Sequence, residues 1–175
     1  MLLTLVLHNP QAVISIVRGT PSWVWALLAG LLVLGATQLR DRTAGVARVA
    51  LMPVVMIAFS ALGTWSAFGR TSIGFAVVAA WLLVAASVAA LVALGRAQGS
   101  YDAARREFRL PGTVVPLLLI AGIFLVKWSV GVEMALQPSV ASEALFAFPV
   151  AIVYGIFSGL FAGRAARLWK LTVQA

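Results

Sequence analysis

Residues 148–169 read FPVAIVYGIFSGLFAGRAARLW, an apolar run in which glycine returns at every fourth position. In a helix this spacing places Gly155, Gly159 and Gly163 near one face and bulky side chains such as Phe157 on the other. Three glycines would cost a helix in water about 1 kcal/mol each. In a membrane, however, a face of small residues lets a second helix approach to backbone contact. The pattern therefore predicts the packing face of a transmembrane helix.

Further small residues extend this face, a pattern known as a glycine zipper. They are Ala151, Ser158, Ala162 and Ala166. We expect Ala151 and Ala162 to pack together with the three glycines. The pattern does not tell whether the partner helix belongs to the same chain or to a second copy.

The composition indicates an integral membrane protein. Of the 175 residues, 62% are hydrophobic and 10% are charged, and the mean hydropathy is +1.04. Soluble domains are about 45–50% apolar and about 25% charged. Because the apolar runs are long and do not alternate with polar residues, they favour helices and exclude a β-barrel.

The net charge of +8 follows from basic residues placed between apolar runs. That placement is typical of membrane topology signals, so we do not expect nucleic-acid binding. The chain has no cysteine and a single histidine, His8. A thiolate metal site and a bis-histidine haem site within one chain are therefore excluded, and we expect no metal or cofactor.

We predict an all-α membrane bundle of five spanning helices, preceded by a short surface segment. The predicted spans are residues 20–39, 44–66, 73–94, 114–134 and 145–169. Residues 1–19 form the surface segment, because Pro10 interrupts their apolar run and leaves it too short to span. Residues 20–175 form the spanning domain. A sixth span over residues 2–17 is the alternative.

The distribution of basic residues predicts the orientation. One predicted side carries ten basic residues and the other carries two, Arg18 and Arg70. The ten are Arg40, Arg42, Arg48, Arg96, Arg105, Arg106, Arg109, Arg164, Arg167 and Lys170. By the positive-inside rule, the N-terminus lies outside and the C-terminus lies in the cytoplasm.

The longest predicted loop, residues 96–112, carries a cluster of arginines. We predict that residues 102–109 form a short surface helix in which Arg105, Arg106 and Arg109 bind anionic lipid headgroups. The alternative is that these arginines only fix the topology.

Lys127 is the most unusual residue of the predicted spans. It lies about 20 Å from the start of its helix, where an exposed lysine would cost about 3 kcal/mol. We predict a polar site that opens outward, built from Lys127 and Tyr154 with Glu133 and Ser158 as further candidates. Its ligand would be an anionic headgroup, a quinone-like ring or a carboxylate. The alternative is that Lys127 extends to the outer headgroups.

The sequence contains no nucleophile–base motif, phosphate-binding loop, carboxylate dyad or zinc-protease helix. Our leading hypothesis is a non-enzymatic scaffold or accessory subunit. It would use its glycine face to pack against a second copy or a membrane partner, with lipids as its surroundings. The alternative is a small transport or ligand-binding protein with its site around Lys127 and Tyr154.

Three groups of residues carry a family resemblance. They are residues 20–24 (TPSWV), residues 108–112 (FRLPG) followed by Pro116, Leu117, Phe124, Lys127 and Trp128, and Tyr154-Gly155, Ser158-Gly159 and Gly163-Arg164. The chain resembles a family of small bacterial integral membrane proteins known as a domain of unknown function. It is more distantly similar to CcdC-type accessory proteins of cytochrome c biogenesis. The resemblance implies a bacterial inner-membrane protein and supplies no catalytic residue. We expect the residues before Thr20 to be an addition to the family's core.

Overall fold

The computed structural model describes residues 10–97 and 99–173 of the chain. Within them, six α-helices follow in order: α1 (Pro10–Gly19), α2 (Ser22–Ala36), α3 (Val46–Phe68), α4 (Gly74–Leu94), α5 (Val115–Leu136) and α6 (Ala144–Val173). Three short strands also form: β1 (Arg42–Gly45), β2 (Ser100–Asp102) and β3 (Glu107–Leu110). The 3-10 helices Thr37–Leu39 and Pro138–Ser142 complete the regular structure.

Five of these helices are long and apolar enough to cross a membrane. The candidate spans are Ser22–Leu39, Val49–Phe68, Gly74–Leu94, Val115–Leu136 and Ala144–Thr172. The predicted all-α architecture is confirmed for the described residues, apart from the small sheet. The last helix runs four residues beyond its predicted end, because Leu168 and Leu171 continue it and pack against the sheet.

The described part of the predicted surface segment is the single helix α1. At ten residues it is about 15 Å long, too short to span a membrane. Residues 1–9, including His8, lie outside the described residues. The hydroxyl of Thr20 donates to the carbonyl oxygen of Ile16 at 2.9 Å and accepts from Trp128 Nε1 at 3.2 Å. The N-cap of α2 is Pro21, without a side-chain cap.

The chain forms two compact units, of which the first comprises residues 1–39 and 113–140. Here α2 packs along α5. A Cβ added to Gly35 would lie 2.7 Å from Leu117 Cδ1, so this glycine allows close approach of the two helices. At the other end of the pair, the rings of Trp25 and Trp128 lie 6.2 Å apart at an angle of 51°.

The second unit comprises residues 40–112 and 141–175. Helices α4 and α6 form its most extensive contact, and α3 packs on both of them. Helix α3 is continuous through Pro53.

A three-stranded antiparallel sheet lies in the second unit, with β3 between β1 and β2. Ala44 pairs with Phe108 on one side, and Tyr101 pairs with Phe108 on the other. Phe108 is fully buried, in a cluster with Ala44 and Val49. The predicted surface helix at residues 102–109 is therefore wrong, because alternate burial of Phe108 beside exposed Arg109 favours a strand.

Two turns close this sheet. The Asp102 carboxylate accepts hydrogen bonds from the backbone N–H groups of Ala104 and Arg105, at 3.1 and 3.2 Å. At the other end of β3, Gly112 N–H donates to Asp41 Oδ1 at 2.8 Å. Such side-chain acceptors satisfy turn backbone groups that the strands leave unpaired.

Candidate functional site

The three glycines of α6 lie directly against α4. A Cβ added to Gly155 would lie 2.8 Å from the Trp81 carbonyl oxygen, and one added to Gly159 would lie 2.6 Å from that of Ala85. At Gly163 the same atom would lie 2.6 Å from Val92 Cβ. Non-bonded carbon atoms ordinarily approach to about 3.5 Å. Each position therefore needs glycine for this helix pair to pack as it does.

The other small residues predicted for this face differ in their surroundings. Ala151 is fully buried, whereas Ala162 is half-buried and Ala166 is exposed. Ala166 is thus a correction to the predicted face. Ser158, which was also predicted for this face, is buried. Tyr154, which was not predicted for it, is buried as well.

A chain of hydrogen bonds joins α3, α4 and α6 beside this face. Ser158 Oγ lies 2.8 Å from both Ser60 Oγ and the Tyr154 carbonyl oxygen. Trp81 Nε1 donates to Ser60 Oγ at 3.2 Å. The Tyr154 carbonyl can only accept, and Ser158 has a single hydroxyl hydrogen. Ser158 therefore donates to Tyr154, and the hydrogen between the two serines comes from Ser60.

This arrangement links three helices through groups that would be costly to leave unpaired in an apolar interior. Thr64, which is fully buried, donates from Oγ1 to the Ser60 carbonyl oxygen at 2.8 Å.

Ser60, Thr64 and Trp81 were not predicted from the sequence. Small hydroxyl residues and a tryptophan within apolar runs were the available signal, but the register between helices cannot be read from one sequence.

The four residues of the predicted polar site fall in different units. Lys127 and Glu133 belong to α5 in the first unit, where Lys127 is half-buried and Glu133 is buried. Tyr154 and Ser158 belong to α6 in the second unit. Tyr154 and Ser158 lie one turn apart on α6, and the hydrogen bond between them joins the Ser158 hydroxyl to the Tyr154 main-chain carbonyl. The association of Lys127 with Tyr154 stays a prediction.

Basic side chains gather where α4 ends beside the last turns of α6. Lys170 Nζ donates to the Ala93 carbonyl oxygen at 2.8 Å, and an Arg167 guanidinium nitrogen donates to the Arg96 carbonyl oxygen at 3.4 Å. Cations here offset the partial negative charge of a helix C-terminus. Gly95 leaves room for Arg167, since a Cβ at Gly95 would lie 2.9 Å from its guanidinium.

A pocket of about 360 Å³ opens between these groups. Its lining consists of Gly95, Arg96, Ala97, Arg167, Lys170 and Leu171. Three of the six residues are basic and none is acidic. We call this feature the basic pocket.

The arginines predicted to bind lipid headgroups lie elsewhere, on the β2–β3 hairpin. Arg105, Arg106 and Arg109 are exposed, and Arg109 lies 3.9 Å from the Asp102 carboxylate. Arg106 has a φ of 54°, which a non-glycine residue seldom adopts outside turns. These arginines thus form an open surface rather than a pocket.

Within residues 10–97 and 99–173, no group of three or more histidine, cysteine, aspartate or glutamate residues is placed to hold a metal ion.

Comparison with protein families identifies one that covers the whole sequence. The model of a family of unknown function, DUF6622, matches residues 1–175. The residues before Thr20 are therefore part of the family match, contrary to the expectation that they are an addition. Neither the curated proteins nor the solved structures gave a match.

Proposed function

The chain belongs to DUF6622, a family of unknown function, and we propose that it is a non-enzymatic integral membrane protein that acts as a scaffold or accessory subunit. The close pairing of α4 and α6 carries this proposal. The buried interior between these helices is filled by glycine, small residues and a hydrogen-bonded hydroxyl chain. Such a filled interior suits a rigid framework better than a moving carrier.

The contacts of the glycine face determine which surfaces of the proposed scaffold could bind a partner. Gly155, Gly159 and Gly163 contact α4 of the same chain. These glycines therefore contribute to the fold of the protein itself. A second copy or a membrane partner would have to dock on the outward apolar surfaces. Large exposed side chains on α3 and α4 include Phe59, Leu62, Phe75 and Leu83. In a bilayer these side chains would face lipid or a partner helix.

The finer parts of the proposal rest on the sequence. The excess of basic residues on one predicted side supports an outer N-terminus and a cytoplasmic C-terminus. The bacterial inner membrane and a distant CcdC-like accessory role rest on the resemblance of the quoted motifs. Self-association rests on the apolar composition of the outward surfaces.

Two measurements test the proposal. Membranes that contain the protein are washed with alkaline carbonate, and we expect the protein to stay with the lipid. Native mass spectrometry from a gentle detergent is then expected to show a second copy or a co-purified membrane protein. Release by carbonate would overturn membrane insertion, whereas a strictly monomeric protein without partners would overturn the scaffold role.

The alternative function, transport or ligand binding around Lys127 and Tyr154, is kept because Lys127 is half-buried within a candidate span. The replacement Lys127→Leu separates the two functions. Under the scaffold proposal, we expect unchanged abundance and unchanged thermal stability in detergent. Loss of a bound small molecule, detected in the same native mass spectra, would instead favour ligand binding.

A further inference from the structure

We propose that the basic pocket binds the phosphate group of an anionic phospholipid. The pocket lies at the end of two candidate spans, Gly74–Leu94 and Ala144–Thr172. The proposal therefore rests on the proposed membrane insertion, which places this end at the lipid headgroups.

The charge of the lining favours an anion. Arg96, Arg167 and Lys170 contribute three positive charges, and no lining residue is acidic. Arg164 lies on α6, as Arg167 and Lys170 do. The positive charges of Arg42 and Arg167 are close enough to Arg164 to repel its guanidinium. Since like charges brought together are costly in the absence of an anion, a bound phosphate would stabilise this part of the molecule.

The donors needed for phosphate are present. Lysine carries three N–H groups and arginine carries five. Lys170 directs one of them to Ala93, and Arg167 directs one to the main chain of Arg96. These two bonds hold the side chains in place at the pocket wall. The remaining N–H groups can donate charge-assisted hydrogen bonds to phosphate oxygens.

The size and position of the pocket favour a lipid over a large soluble ligand. A volume of about 360 Å³ is at the low end of the range of about 300–1,000 Å³ for ligand pockets. Trp169, next to Lys170 in sequence, is 46% exposed, and tryptophan is enriched where membranes meet water. Basic pockets between transmembrane helices on the cytoplasmic side are known to take anionic headgroups.

A purely structural role makes a different prediction. If Lys170 and Arg167 only cap the C-terminus of α4, neutralising Arg96 should have no effect on lipid binding. Arg167 contacts the main-chain carbonyl of Arg96, so Arg96→Gln removes a pocket charge and keeps that acceptor. Arg96→Gln is therefore the variant that separates the two roles.

The experiment titrates the purified full chain in a neutral detergent with phosphatidylglycerol or with phosphatidylcholine, and counts bound lipids by native mass spectrometry. We expect preferential binding of phosphatidylglycerol. Binding should weaken about tenfold or more when Arg96, Arg167 and Lys170 are all replaced by glutamine, and by a smaller factor in Arg96→Gln. The matched control replaces Arg105, Arg106 and Arg109 by glutamine, which removes the same charge from the open hairpin and should change binding less than threefold.

Three results of the lipid titration would overturn the proposal: equal binding of both lipids, unchanged binding in Arg96→Gln, or an equal loss in the hairpin control. Inorganic phosphate added alone tests whether the pocket binds free phosphate and not the phosphate group of a lipid. Binding of free phosphate without binding of the lipid would also overturn the proposal. The thermal transition of each variant is recorded, and Lys170→Arg, which keeps the charge, should bind as the unaltered chain does. Carbonate release would refute insertion independently of this detergent measurement.

Discussion

At the scale of single residues, Gly159 offers the clearest test of the α4–α6 contact. A methyl group at Gly159 would meet the Ala85 carbonyl oxygen and Val88 Cβ, each at 2.6 Å. Overpacking of this kind costs about 1–3 kcal/mol. We expect Gly159→Ala to lower the thermal transition in detergent, and Gly159→Leu to lower it further or to prevent assembly.

Gly131 of α5 provides the matched control. It is also within a helix, and a Cβ added there would meet no atom within 4 Å. Gly131→Ala should therefore leave the transition unchanged or raise it, because alanine favours the helix by about 1 kcal/mol. Equal effects of the two replacements would contradict the close contact at Gly159.

The sequence predicted the importance of these glycines but not all of their neighbours. Residue identity gives side-chain size directly. The regular spacing of Gly155, Gly159 and Gly163 therefore indicated a helix face without bulky side chains, which is a packing face. The angular position of Ala166 was also readable, yet the structure leaves it exposed. The residues that a helix contacts depend on how the neighbouring helix is rotated and shifted along its axis. The residue pattern of one sequence does not give this rotation or shift.

At the scale of elements, the bond between Ser60 and Ser158 tests how α3 is held to α6. Hydrogen bonds between helices in membranes contribute about 0.6 kcal/mol on average and up to about 1.7 kcal/mol. We expect Ser60→Ala and Ser158→Ala each to destabilise the protein by about this amount. The double replacement should cost less than the sum, because both remove the same bond.

The measurement is a double-mutant cycle from unfolding in denaturant with mixed detergent micelles. Ser87 of α4, which is exposed, serves as the control position, and Ser87→Ala should add independently to either replacement. Strict additivity of Ser60→Ala and Ser158→Ala would argue against the described bond.

The sheet gives a second prediction at this scale. Phe108 is fully buried at its centre, and removal of a buried phenylalanine side chain costs about 3–5 kcal/mol. In Phe108→Ala we expect faster hydrogen exchange of the backbone amides of β3, measured by mass spectrometry of peptides that cover residues 99–112. Arg105→Ala, at an exposed position of the same hairpin, should leave that exchange unchanged, and similar rates in both variants would rule out a core position for Phe108.

The sheet was not predicted from the sequence, and the reason is physical. A strand of four residues has too few positions to establish a period of two against charged neighbours. The pairing of β1 with β3 also joins segments separated by α3 and α4, so neither segment alone carries the information. The long apolar helices α4 and α5, by contrast, were predicted within two residues at each end, because their lengths follow from their composition.

At the scale of the whole molecule, the proposed orientation in the membrane rests on the ten basic residues of one predicted side. We expect a phosphatase fused to the N-terminus to be active outside the cytoplasm, and a fluorescent protein fused to the C-terminus to be bright in the cytoplasm. Swapping the two reporters between the termini supplies the control, since both should then fail. Fluorescence at the N-terminus together with a silent phosphatase there would refute the five-span topology and favour a sixth span over residues 2–17.

The central strand of the sheet also sets an order of events during synthesis. Strand β1 leaves the ribosome before α3 and α4, and its partner β3 is made only after both. Leu168 and Leu171, which cover the sheet, come later still. The basic pocket, whose lining includes Leu171, is likewise completed only after α6 has been synthesised. A nascent chain halted before α6 would contain four of the five candidate spans, and its sheet would still lack the cover that Leu168 and Leu171 provide.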